Sequence, residues 1–148
     1  MDLRHLSDRA EITDLVCRYT RAIDTRSWDD LDAIFTPDAT IDYTAMGGVT
    51  GGVADIKRYL AETMPLFSST QHMLGLPAIE LDGDGARAVT PCHNPMVMGT
   101  GDSARLMVCS LWYHHRFVRT PDGWRVSSLT EEKCHMSFIE TSPLSPRQ

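Results

Sequence analysis

The chain has 148 residues, 42% of them hydrophobic and 23% charged, the make-up of one soluble globular domain. A formal charge of −6 and an isoelectric point near 5.4 exclude the basic face that nucleic-acid binding requires. No apolar run reaches the length of a membrane span, so neither nucleic acid nor a membrane is an expected partner.

In chain order, Met1-Asp-Leu-Arg-His shows no signal-peptide core, and a cytoplasmic location is expected. Asp8 followed by Glu11 has the form of a capping box, which satisfies free N–H groups at a helix start. Ile12, Leu15, Val16, Tyr19 and Ile23 then recur at helical spacing as one apolar stripe. Ser27 is expected to cap a short second helix that buries Trp28, Leu31, Ile34 and Phe35. Thr36-Pro37-Asp38 stops it, since proline lacks a donor and disfavours helix in the residue before it. Ala39 to Tyr43 reads as a short strand, and Gly47, Gly48, Gly51 and Gly52 as a flexible connection. A third helix follows from about Val53 to Met64, with Ile56, Tyr59, Leu60 and Met64 inward and Pro65 as its stop.

The second half changes period. Leu76 to Leu81 is a strand, and Asp82-Gly-Asp-Gly85 a hairpin turn. Ala86 to Met98 is a second strand, which Pro91 and Pro95 mark as bulged or on an edge. Gly99-Thr-Gly-Asp102 turns the chain into a long strand from Ala104 to Val118. Thr120-Pro-Asp-Gly123 turns it again, and Trp124 to Glu131 returns. Residues 1–140 are thus expected as one domain, with 141–148, which carry two prolines, as a tail. Helices first and strands after give an α+β class, a cone in which helices lie on the concave face of a strongly curved antiparallel, or mixed, sheet. Such a mouth suits a small ligand.

Two residues carry a chemical signal. Asp24 lies at the end of the first helix, and His72 enters the strands. A carboxylate that holds an imidazole in one tautomer makes a general base that works near neutral pH. Taken singly, each also fits a bland role, a solvated helix-end acid and a satisfied strand histidine. Tyr19 and Tyr43 are candidate donors to an oxygen that gains charge. Further candidates for the pocket wall are Trp28, Met73 and Tyr113, within a set of methionines and aromatics that equally suits core packing. His114 and His115 are strand neighbours and point to opposite faces, one toward the cavity and one toward solvent or a subunit contact. Asn94 fits either a donor to substrate or a turn role beside Pro95. Cys17, Cys92, Cys109 and Cys134 are widely spaced and read as reduced thiols. Cys92, His93 and His135 lack a metal-ligand spacing, so no metal is expected. There is neither a phosphate loop nor a Gly-x-Ser-x-Gly elbow.

Several stretches, together with the order of elements, carry a resemblance: Asp8-Arg-Ala-Glu-Ile-Thr-Asp-Leu15, Tyr19 with Ala22-Ile-Asp24, Trp28-Asp-Asp-Leu31, and Phe35-Thr-Pro-Asp-Ala39. His72, Asp82-Gly-Asp-Gly-Ala86 and Asp122-Gly-Trp-Arg125 complete it. The chain resembles the SnoaL-like branch of the nuclear transport factor 2-like superfamily. Scytalone dehydratase, bile-acid 7α-dehydratase and hexachlorocyclohexane dehydrochlorinase in that superfamily place an aspartate late in the first helix and a histidine at the start of the long strands. By resemblance, Asp24 and His72 fall on those positions, Tyr19 on a pocket tyrosine, and His93 near a further polar residue. The resemblance implies no metal or organic cofactor and a homo-oligomer, trimer or dimer. It implies a dehydratase-like lyase acting on a hydrophobic cyclic compound such as a steroid, polyketide or aromatic intermediate. A double-bond isomerase is one alternative. The other is a non-catalytic binding protein, like the β subunit of ring-hydroxylating dioxygenases.

Overall fold

The first helix starts before the expected capping box. In the computed structural model, which describes residues 2–140, helix α1 spans Leu3–Thr25, and the Asp2 carboxylate at its N-cap accepts the His5 backbone N–H at 2.9 Å. Asp8 lies inside the helix and is buried, paired with Arg119 at 2.6 Å and accepting the Trp124 indole N–H at 3.1 Å. It is a tertiary anchor; the first free N–H groups have already been met by Asp2. The stripe from Ile12 to Ile23 is buried as its spacing predicts. The tail expected over 141–148 lies outside the described residues.

A 3₁₀ turn at Trp28–Asp30 leads into the four-residue helix α2 (Leu31–Ile34), and Ser27 makes no side-chain capping bond. Strand β1 (Phe35–Asp42) starts earlier than expected and runs through Pro37, whose ring suits extended chain. Strand β2 (Thr50–Gly51) pairs with it, and helix α3 (Val53–Thr63) follows, the Asp55 carboxylate accepting the Gly52 N–H at 3.2 Å. Two short strands that the sequence reading lacks come next, β3 (Phe67–Thr70) and β4 (Met73–Leu74). Then β5 (Ala78–Asp82), β6 (Gly85–Met98), β7 (Arg105–Thr120) and β8 (Gly123–Glu140) form the long meander. The last of these runs well beyond the expected end at Glu131.

The sheet order is β2-β1-β8-β7-β6-β3, with β4 and β5 also on β6. β1 and β8 are parallel and the other pairs antiparallel, so the sheet is mixed. The helices pack against this strongly curled half-barrel, an α+β cone, and one apolar core lies between the two layers.

The prolines of β6 put it neither on an edge nor in a bulge. Its register with β7 is unbroken from Gly85↔Val118 to Met98↔Arg105. In extended chain a residue's N–H and C=O point to the same side. The carbonyls of Pro91 and Pro95 accept from Gly75 N (2.9 Å) and Gln71 N (3.2 Å), on the side where β3, β4 and β5 succeed one another. Each missing donor therefore faces an interrupted ladder and costs β7 nothing.

Arg119 ties the layers together. Its guanidinium pairs with Asp8, lies 4.5 Å from the centre of the Trp124 ring, and donates from Nε to Asp84 Oδ1 at 3.0 Å. The start of α1 is thereby held to the β5–β6 and β7–β8 turns. No described helix is long and apolar enough to cross a membrane.

Candidate functional site

Asp24 occupies the last turn of α1, and His72 the gap between β3 and β4. The Asp24 carboxylate gathers three donors there. Oδ1 lies 2.7 Å from His72 Nδ1 and accepts the Thr70 hydroxyl at 3.0 Å, while Oδ2 accepts the His72 backbone N–H at 2.9 Å. The break in strand pairing frees that backbone N–H for Asp24. Both side chains are largely buried, 7% exposed for His72 and 17% for Asp24. Burial opposes a charge on Asp24, but the hydrogen bonds from the His72 ring and backbone and from the Thr70 hydroxyl outweigh it. The carboxyl is held below its ordinary range. An ionised Asp24 only accepts, so Nδ1 of the neutral ring carries the proton and Nε2 the lone pair. Asn94 Nδ2, 3.0 Å from Nε2, donates to that lone pair.

His72 and Asn94 open onto a cavity of about 140 Å³. Its polar wall also includes Tyr19, Tyr43, Tyr113 and Glu131, and its apolar wall Ile23, Leu60, Met64, Met96, Met107 and Leu111. The Tyr19 and Tyr43 hydroxyls are 2.5 Å apart, one donating to the other, and the Tyr113 ring meets Tyr19 edge-on at 5.7 Å. Burial is the main influence on all three phenols and raises them well above their ordinary value, so they stay protonated.

The sequence-predicted residues divide. Asp24 meets His72, and Tyr19, Tyr43 and Tyr113 line the cavity. Trp28, Met73 and His93 do not. Trp28 packs partly buried against the core, Met73 is 53% exposed, and the exposed His93 has its Nδ1 3.0 Å from Ser110 Oγ. Because β6 keeps plain alternation through both prolines, Asn94 faces inward and His93 outward; a one-residue difference reverses the face. His114 pairs with Glu132 on the exposed side, whereas His115 is buried in the core and stacked on Phe117 at 5.4 Å, and neither lines the cavity. Neither His115 ring nitrogen has a hydrogen-bond partner among the described residues, and burial, then the neighbouring His114, pushes its pKa down to about 3. Among the described residues no three His, Cys, Asp or Glu side chains are grouped to hold a metal ion.

Glu131 is the wall residue that sequence reasoning missed. It stands opposite Tyr113 on β8, with Oε2 buried and without a hydrogen-bond partner among the described residues. Burial, then the Asp42 carboxylate, pushes its pKa up to about 8. Alternation from Trp124 and Val126 places even positions inward. An extra residue on β8, between the pairs Phe117↔Val126 and Arg116↔Ser128, switches the inward set to Leu129 and Glu131.

A model of the SnoaL-like domain matches residues 4–130. An uncharacterised protein of Mycobacterium tuberculosis is 46% identical over 139 residues, which is 94% of this chain and 94% of that protein. A solved structure of a Kribbella flavida protein aligns with a TM-score of 0.82 at 26% identity, over 90% of this chain and 95% of that one. A hexachlorocyclohexane dehydrochlorinase of Novosphingobium barchaimii aligns over 99% of this chain and all of its own (100%), with a TM-score of 0.84 at 19% identity, a likeness of fold.

Proposed function

Because the chain belongs to the SnoaL-like domain family, in the nuclear transport factor 2-like superfamily, we propose that it is a lyase that needs no cofactor and eliminates a small leaving group from a hydrophobic ring compound. The observation that carries this reading is the Asp24–His72 pair opening onto a mostly apolar cavity.

In this mechanism Asn94 gives way to substrate, and His72 Nε2 takes a proton from a ring carbon. The C–H electron pair becomes a double bond as the neighbouring carbon loses its leaving group. Asp24, already accepting from Nδ1, stabilises the imidazolium that forms. A positioned base of this kind contributes about 10²–10⁴ in rate. Orientation and the Tyr19–Tyr43 hydroxyls, as donors to an oxygen that gains charge, supply the rest.

The cavity volume narrows the substrate. An apolar cavity of about 150 Å³ accepts benzene, so a space of about 140 Å³ holds one six-membered ring. A steroid or other fused system would extend through the mouth. The Novosphingobium relative, named for dehydrochlorinating a cyclohexane, supports an elimination on such a ring. The exposed Trp112, Met136, Phe138 and Ile139 on β7 and β8 support the expected homo-oligomer.

The test pairs ring-sized β-hydroxy ketones and halocyclohexanes with mass spectrometry for loss of water or hydrogen halide. His72→Ala and Asp24→Asn are expected to fold normally, by circular dichroism, and to lose turnover. Full activity in both variants refutes the mechanism, and a product of unchanged mass makes the enzyme an isomerase.

A further inference from the structure

Elimination of water moves two protons, one off carbon and one onto the departing oxygen. His72 and Asp24 deal with the first. Glu131 reaches the same cavity from β8, a wall separated from the His72 side by β7 and β6. A ring held between those walls has a base on one side and a carboxyl on the other.

The surroundings decide the state of that carboxyl. The groups that feel its charge are Tyr19 of α1, Tyr43 after β1, Cys92 of β6, and Cys109 and Tyr113 of β7. Burial keeps the phenols protonated and pushes Cys92 up to about 12 and Cys109 up to about 11, so all five are neutral near pH 7. Asp42, at the end of β1, acts on Glu131 with the same sign as its own charge. Lys133, farther along β8, is exposed and acts on Cys109. A carboxylate with a buried, unpartnered oxygen in this company is costly, and the neutral acid is the stable form. That form has an O–H to donate.

We propose that Glu131 is the proton donor of the site, its carboxyl hydrogen-bonded to the hydroxyl on the carbon adjacent to the one that His72 deprotonates. The inference rests on the elimination reading. As the C–H pair becomes the π bond, the C–O bond breaks with its pair on oxygen, and the Glu131 proton completes a water molecule. The His72 imidazolium then returns its proton through water to the Glu131 carboxylate, so the substrate loses only water. A departing halide leaves as an anion and draws no proton from Glu131.

Infrared difference spectra of the full chain test the protonation state directly. A protonated-carboxyl C=O band that disappears with a midpoint near 8 is expected in the wild type and in His72→Ala, and is absent from Glu131→Gln. Cyclohexanol serves as the ring-sized probe, since it carries the hydroxyl that Glu131 is proposed to hold and no carbonyl for Tyr19 and Tyr43. Its C–O stretch falls on binding at about pH 6, where the Glu131 O–H donates to it, and recovers by about pH 9.5, once Glu131 ionises, and this pH dependence is missing in Glu131→Gln. In turnover, Glu131→Gln loses about 10²-fold or more on 3-hydroxycyclohexanone and less than about tenfold on 3-chlorocyclohexanone, whereas His72→Ala loses both. Loss of both in Glu131→Gln, or of neither, overturns the donor role; retention of both in His72→Ala overturns the base reading and leaves the carboxyl band standing. If neither compound reacts, the spectra decide: no titrating Glu131 band, or a probe stretch indifferent to pH, overturns the proposal.

Discussion

Two buried groups, His115 and Glu131, set opposing pH dependences on stability, and separating them is a strong test of the reasoning. His115 has a folded pKa of about 3 against an ordinary 6.5. Below pH 6.5 the unfolded chain therefore takes up a proton that the folded chain refuses, and stability falls as pH drops toward 3. Between pH 7 and pH 5 this loss is about 2 kcal/mol. Glu131 has a folded pKa of about 8 against an ordinary 4.5. Its neutral form favours the fold below 4.5, and that advantage is lost as pH rises toward 8; from pH 7 to pH 5 the fold regains about 2.5 kcal/mol. In the wild type the two nearly cancel. In His115→Leu the Glu131 contribution stands alone, and on going from pH 7 to pH 5 stability should rise by about 2 kcal/mol more than in the wild type. Glu131→Gln should instead lose about 2.5 kcal/mol relative to wild type over the same step, and the double variant should come within about 1 kcal/mol of the wild type. Urea unfolding of all four proteins at both pH values measures this, because groups common to the four drop out of the differences. If the single variants show the wild-type pH slope, neither group titrates as its burial implies.

Three further outcomes follow from the geometry. Asp8→Ala removes the partner of Arg119 and the acceptor of the Trp124 indole and should cost about 1–3 kcal/mol at pH 7. Arg119 beside it holds the Asp8 carboxyl below its ordinary value of 3.8, so the difference between variant and wild type should shrink as pH falls through and below that value, again read by urea unfolding. At Gly75 an added Cβ would lie 2.5 Å from Pro91 Cγ, so Gly75→Ala should push the His72–Gly75 segment off β6; faster hydrogen exchange at the His72 amide, which donates to Asp24, would report it. His93→Ala should leave His72-dependent turnover within about twofold of wild type, as its ring faces away from the cavity; a larger loss in a kinetic assay would contradict the β6 register.

What the sequence disclosed follows from how local each signal is. The stripe from Ile12 to Ile23 and the Asp82–Gly85 and Thr120–Gly123 turns depend on neighbours in the chain, and they stand where periodicity and turn chemistry put them. Asp8 looks like a cap in isolation, but its partners Arg119 and Trp124 lie more than a hundred residues away. His93 and Glu131 turn on parity. The first fails because the prolines of β6 leave alternation intact, and the second because a bulge on β8 changes it. The Asp24–His72 contact was suggested by the family resemblance, since no local pattern says that a helix end reaches a gap between two short strands.

The parallel pairing of β1 with β8 has a consequence for biosynthesis. Residues 35–42 dock between a two-residue strand and β8, so they have no full set of backbone partners until β8 has been synthesised. Until then the oily side of α1 stays uncovered on the nascent polypeptide, Asp24 with it, and the late arrival of β8 brings Glu131 and closure in a single event. Assembly of this fold is therefore dominated by distant contacts, so slow folding with exposure to aggregation in the meantime is expected.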